Sequence, residues 1–149
     1  MKKFLFAIIF ISWGVFASCP PTFSEHPVKN IYTGDVHSLA LTSEQENYVY
    51  GEYLNAAKNA IKVNFAGHYI VFIYGCGGGV LCAGVKDAIN GQLLDTGAGA
   101  YDMTTWEGAK FEKDSSLLII SGRNLESSKA GDDYFKLDEK KLIKISECN

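Results

Sequence analysis

A histidine, the run Gly75-Cys76-Gly77-Gly78-Gly79 and a second cysteine, Cys82, fall within one short stretch, FAGHYIVFIYGCGGGVLC at residues 65–82. Glycine runs of this kind cradle phosphates when Gly-x4-Gly-Lys-Ser/Thr opens a helix whose N-terminal N–H groups meet the anion. Here no Lys, Ser or Thr follows directly, and the next segment, VLCAGVKD, reads as a strand. Gly-x-Gly-x-x-Gly fails as well, because Val80 and Cys82 stand where glycine would be needed. A nucleotide cradle is therefore not expected. A Cys76 nucleophile would need an imidazole beside it. His68 is eight residues away along an extended segment, about 26 Å. Cys-x5-Cys is not the Cys-x-x-Cys of redox motifs, and zinc would need two more ligands at hand. His26 and His37 lie in polar, loop-like surroundings and read as surface histidines. No metal and no cofactor is expected.

The chemistry that remains is mechanical. A Cys76–Cys82 disulfide would close a turn whose glycines permit positive φ, giving a rigid loop of Gly75, Cys76, Gly77, Gly78, Gly79, Val80, Leu81 and Cys82. Exposed backbone without bulky side chains suits insertion into a partner's cleft, where preorganisation lowers the cost of ordering. A stapled turn with no partner is the plain alternative. His68, Tyr69 and Asp87 form a second candidate, a polar site at the other end of the same segment. A hydrolase or transferase would require His68, Asp87, Asp102, Glu107, Asp132 and Asp133 to converge.

These residues must be positioned in an exported chain. Lys2 and Lys3 precede an apolar core at residues 4–16 and then small residues, the layout of a secretory signal, and the core is shorter than the roughly 20 residues of a membrane span. Residues 1–18 are read as signal peptide, cleaved near Ala17 or Ser18, and 19–149 as one globular domain. Phe16-Ala17-Ser18-Cys19 also makes a passable lipobox, which would anchor the protein to a membrane through Cys19. Four cysteines in an oxidising compartment favour two disulfides. Besides Cys76–Cys82, worth roughly 2 kcal/mol in the loop-entropy model, the expected pair is Cys19–Cys148, worth roughly 5. The chain carries 14 Lys and Arg against 17 Asp and Glu, a net charge of −3 that deepens once Lys2 and Lys3 are removed. No basic run points to nucleic acid.

The elements follow from periodicity. TSEQENYVYGEYLNAAKNAIK, residues 42–62, reads as one helix: Ser43 and Glu46 suggest a capping box, and Val49, Tyr53, Leu54, Ala57 and Ile61 recur at helical spacing, with Gly51 a tolerated weak point. Tyr48, Tyr50 and Tyr53 read as packing residues with hydroxyls at the rim. HYIVFIYG is apolar on both alternating faces, as a strand buried on two sides should be. VLCAGVKDAINGQLL carries Asn90-Gly91 at a two-residue hairpin tip. Further strands are expected at residues 111–113, 117–121, 134–137 and 142–145. The fold expected is α+β, one N-terminal helix packed on an antiparallel β-meander, with a small β-sandwich bearing an edge helix as the alternative.

Asn64-Phe65-Ala66-Gly67-His68-Tyr69, Gly75-Cys76-Gly77 with a second cysteine, Asp87, Asn90-Gly91 and Asp114-Ser115-Ser116-Leu117-Leu118-Ile119 together resemble a family of small exported bacterial proteins of unknown function with an NFAGHY…GCG…C motif. The resemblance covers most of the mature chain and implies no activity. Tyr74 stands where that family usually has Trp, and the second cysteine comes later. A looser architectural similarity is to periplasmic inhibitors of vertebrate lysozyme, whose disulfide-closed loops enter an active site. Those loops carry charged and imidazole side chains, whereas residues 77–81 carry none. The expectation is an exported, non-catalytic protein-binding module of the periplasm or extracellular space, such as an inhibitor of a cell-wall hydrolase or a toxin-immunity protein. An envelope hydrolase and a structural lipoprotein are the alternatives.

Overall fold

The computed structural model describes residues 19–145. The expected signal peptide at 1–18 and the expected disulfide partner Cys148 lie outside them. One helix, α1 (Gly51–Asn59), precedes seven strands: β1 (Tyr69–Gly77), β2 (Val80–Asp87), β3 (Ala100–Asp102), β4 (Gly108–Phe111), β5 (Leu117–Arg123), β6 (Ala130–Asp138) and β7 (Lys141–Lys144). The architecture is α+β, and each strand pairs antiparallel with its successor within two sheets, β1-β2-β3 and β4-β5-β6-β7.

β1 explains the layering. Its two apolar faces serve two different cores, as its composition predicts. Tyr69 and Val71 join Val85 and Tyr101 of the first sheet to Leu118, Ile120, Phe135, Leu137 and Leu142 of the second. Ile70 and Phe72 face the other way, toward Ala57 and Ala60 of the helical segment and Val49 ahead of it. The first sheet is thus the middle layer, with α1 on one face and the four-stranded sheet on the other.

The helix is shorter than its periodicity suggests. It starts at Gly51, which sits at φ +55° after an extended Tyr50, so the chain turns there instead of continuing a helix from residue 42. Upstream is a 3-10 turn, Gln45–Asn47. The reciprocal cap is offset by one from Ser43 and Glu46: Gln45 N–H donates to Thr42 Oγ1 at 3.2 Å and Thr42 N–H donates to Gln45 Oε1 at 3.1 Å. Ile61 lies beyond the helix end and is 73% exposed, whereas Val49 is buried from outside the helix. The Asn90-Gly91 tip is wider than two residues, since Gly91 N–H donates to Asp87 O and Asp87 N–H to the carbonyl of Gln92, enclosing residues 88–91. The strand expected at 111–113 lies earlier, at Gly108–Phe111.

Candidate functional site: a stapled hairpin beside a tyrosine cleft

β1 and β2 run in register from Tyr69↔Asp87 to Gly75↔Leu81, slip by one residue at Cys76, and close at Gly77↔Val80. Only Gly78 and Gly79 remain as the turn, at φ +59° and +78°. Positive φ at both central positions is what a type I′ hairpin requires. The bulged Cys76 is bonded to Cys82 with a Cα–Cα distance of 5.9 Å. The expected loop is therefore a hairpin ordered nearly to its tip. Its far side is braced by β3, where Val80 pairs with Asp102 and Met103 N–H donates to Gly79 O at 2.9 Å. Asp102 caps the short turn after β3, accepting from Thr104 Oγ1 at 2.7 Å and Thr104 N–H at 2.9 Å; these bonds hold its carboxyl below the usual range. Residues 76–79 are exposed.

Against the other side of the hairpin lies a cleft of about 660 Å³ between the α1 N-terminus, the end of β1 and residues 94–96. Four tyrosines line it, Tyr48, Tyr50, Tyr53 and Tyr74, together with Gly75, Cys76 and Gly77 of the hairpin. Tyr53 of the helix stacks on Tyr74 of β1 with ring centroids 4.4 Å apart and planes 5° from parallel. Burial raises both phenols above their ordinary pKa, and for Tyr53 the neighbouring Tyr74, Tyr48 and Asp95 add to it, so both stay neutral donors. Tyr48 and Tyr50 are 50% and 73% exposed. Glu52 and Asp95 are the charged residues of the lining, which contains no Lys or Arg. The sequence reads Tyr48, Tyr50 and Tyr53 as packing residues with hydroxyls at the rim; Tyr48 and Tyr50 open onto the cleft with half or more of their surface exposed.

His68, Tyr69 and Asp87 do come together, at the opposite end of β1. His68 Nε2 lies 3.9 Å from Asp87 Oδ2, and its ring centroid is 4.1 Å from that of Tyr69. Asp87 is engaged in the 88–91 turn, accepting from Ile89 N–H at 2.8 Å and Asn90 Nδ2 at 3.0 Å. Tyr69 donates to the carbonyl of Glu139 at 3.4 Å. Through its bonds from Ile89 and Asn90, Asp87 holds the turn, and among the described residues no hydroxyl or thiol is hydrogen-bonded to His68. Nor do the other polar candidates join it. Asp132 accepts from Ser121 Oγ and Tyr134 Oη. Glu107 meets Ser121 through its backbone N–H.

Asp133 belongs to a buried network. Its Oδ2 accepts from Tyr101 Oη and Asn124 Nδ2, both at 2.7 Å, and its Oδ1 lies 2.7 Å from Lys144 Nζ. Desolvation opposes its charge, but the bonds from Lys144, Tyr101 and Asn124 outweigh it and keep the carboxyl below its ordinary pKa. Tyr101, fully buried and tied to Asp133, has its phenol pushed well up. Sequence spacing gave no signal for this network.

The NFAGHY segment is scaffold. Asn64 clamps β1 at Val71, while Ala66 and Gly67 N–H donate to the carbonyls of Ser115 and Lys113, and Gly67 O accepts from Tyr32 N–H. The Asp114-Ser115 pair ties the lead-in to β5: Val28 N–H donates to Asp114 O, and buried Ser115 donates through Oγ to Phe23 O. No family model, curated protein or solved structure matches this chain.

Proposed function

We propose that this chain is an exported, non-catalytic module that binds another protein of the envelope, as an inhibitor of a cell-wall hydrolase or an immunity protein against a toxin, in keeping with its resemblance to small exported bacterial proteins. The observation that carries this reading is the continuity of the stapled hairpin with the tyrosine cleft, since Tyr74, Gly75, Cys76 and Gly77 belong to both. Tyrosines give large contact area at low side-chain entropy cost, and a hairpin fixed by a disulfide and by β3 has little freedom to lose on binding. Glu52 and Asp95, with no basic residue beside them, favour a basic patch on the partner.

The Cys76–Cys82 bond fits an oxidising, exported compartment. Cys19 is itself disulfide-bonded, which occupies the sulfur a lipid anchor would need and favours an unanchored protein. The test is affinity capture from the native envelope with wild type and with Tyr48→Ala/Tyr50→Ala, whose side chains are exposed enough to leave folding intact. A partner held by wild type and lost by the double variant is the expected result. Equal retention by both, or no stable partner for wild type, overturns the reading.

A further inference from the structure

β1 is an outer strand of its sheet, and its free edge is closed along half its length only. In an antiparallel ladder alternate residues turn their N–H and C=O toward the neighbouring strand and the others away from it. The phase is fixed at Tyr69, which pairs outward with Phe65: Tyr69 N–H donates to Phe65 O at 2.9 Å and Phe65 N–H to Tyr69 O at 3.1 Å. Ile70, Phe72 and Tyr74 thus bond to β2, and Val71, Ile73 and Gly75 point outward. The rung after Tyr69 is closed by a side chain. Val71 N–H donates to Asn64 Oδ1 at 2.8 Å, and Asn64 Nδ2 donates to Val71 O at 3.0 Å. A carboxamide has the donor and acceptor of a peptide group, so Asn64 stands in for one residue of an added strand.

The next two rungs, at Ile73 and Gly75, have no such partner among the described residues. They lie beside two cavities against the helical segment: Ile73 lines one of about 310 Å³ with Ala60, Ile61 and Lys62, and Tyr74 and Gly75 line the tyrosine cleft. The Cys76 bulge ends the straight edge, so the open part is two rungs long.

We propose that an extended segment of the partner protein adds to the edge of β1, pairing its main chain with Ile73 and Gly75 and continuing the ladder that Phe65 and Asn64 begin. This rests on the protein-binding reading above and names its mode. Two donor–acceptor pairs about 6.8 Å apart match the two-residue repeat of an extended chain, which a helix or a saccharide does not present. Alternate side chains of that segment would enter the cleft, where Glu52 and Asp95 favour Lys or Arg.

Hydrogen exchange on the intact protein tests this. In the free protein the amides of Ile73 and Gly75 should exchange about 100-fold faster than those of Phe72 and Tyr74. An acetylated, amidated octapeptide of alternating valine and lysine, at saturation, should slow Ile73 and Gly75 by about 10-fold, and the same peptide N-methylated at alternate residues should not. Binding without that protection, equal effect of the methylated peptide, or no binding at millimolar peptide overturns the proposal. Protection that grows with protein concentration alone assigns the edge to a second copy and also overturns it. A native partner that depends on Tyr48 and Tyr50 while Ile73 and Gly75 stay fast-exchanging in the complex overturns the strand addition and leaves the binding function standing. Peptide protection with no partner in the envelope supports the edge and overturns the function.

Discussion

Lys86 Nζ donates to the carbonyl oxygen of Ala57 at 3.2 Å, from a side chain 1% exposed between β2 and the last turn of α1. The bond satisfies a helix C-terminal carbonyl that would otherwise be buried without a donor. No carboxylate pairs with Lys86 among the described residues, and desolvation lowers its pKa. A lysine whose folded pKa lies below its unfolded one binds protons more weakly when folded. Stability therefore rises as pH climbs from the folded pKa toward the ordinary lysine value, where the unfolded state alone is still protonated. Lys86→Met should remove that rise and, because it leaves the buried Ala57 carbonyl without its donor, cost about 1 kcal/mol at pH 7. Urea melts across the alkaline range check it, and parallel pH profiles for both proteins would contradict the account.

Asp133 has the opposite sign. Its folded pKa is depressed, so its contribution is whole at neutral pH, declines once pH drops below the unfolded carboxyl value near about 4, and is gone below the folded pKa. Asp133→Asn should cost about 2 kcal/mol at pH 7, less than a fully buried broken pair because Lys144 is 38% exposed. The variant should also lose part of the wild type's acid sensitivity below the ordinary carboxylate range, where the depressed Asp133 carboxyl takes up its proton. Denaturant melts at pH 7 and pH 3 measure both.

Asn64→Ala opens the Val71 rung and leaves both of its main-chain groups without the clamp. A cost of about 1 to 2 kcal/mol is expected. The specific readout is the Val71 amide, which should change from slow to fast exchange while Phe72 stays protected. Asn64→Asp keeps the acceptor and loses the donor, so it should protect the Val71 amide better than alanine does.

How much of this was legible depended on sequence distance. β1 was visible because six apolar residues alternate across two faces, and both faces proved buried in different cores. The helix start was misplaced because Thr42, Ser43, Gln45 and Glu46 offer two overlapping capping boxes, and only the left-handed backbone at Gly51 decides where the helix begins. The cleft was invisible: Tyr50 comes from a loop, Tyr53 from a helix, Tyr74 from a strand and Asp95 from a connection, and nothing local links them. His68 and Asp87 met through strand register, which residue spacing leaves open until the hairpin is known.

Two glycines with nearly the same role in the sequence should respond differently to a methyl group. Gly91 closes the 88–91 turn at φ +75°, and a Cβ there would collide with the Ser38 carbonyl oxygen, two residues before Ala40, whose N–H donates to Gly91 O at 2.9 Å. Gly91→Ala should cost about 3 kcal/mol, combining left-handed strain with displacement of that backbone. Gly78, at φ +59°, would meet nothing within 4 Å, so Gly78→Ala should cost about 1 kcal/mol, the conformational part alone. Thermal or urea denaturation of both variants gives the comparison, and equal costs would mean that the 88–91 turn yields freely.

Removing the staple separates stability from preorganisation. The Cys76–Cys82 loop is short, so Cys76→Ser/Cys82→Ser should cost about 2 kcal/mol in global melts. Val80 remains paired with Asp102, and Met103 still donates to Gly79, so the β2 side of the tip should keep its order. Loosening should appear on the β1 side, as faster exchange at Gly77 and Gly78 with Leu81 unchanged. If the hairpin binds because it is held ready, the serine pair should weaken partner affinity about 10-fold while every contacting side chain of the cleft is retained. Calorimetry on the captured complex, read together with exchange at residues 75–82, shows whether affinity follows the order of the tip.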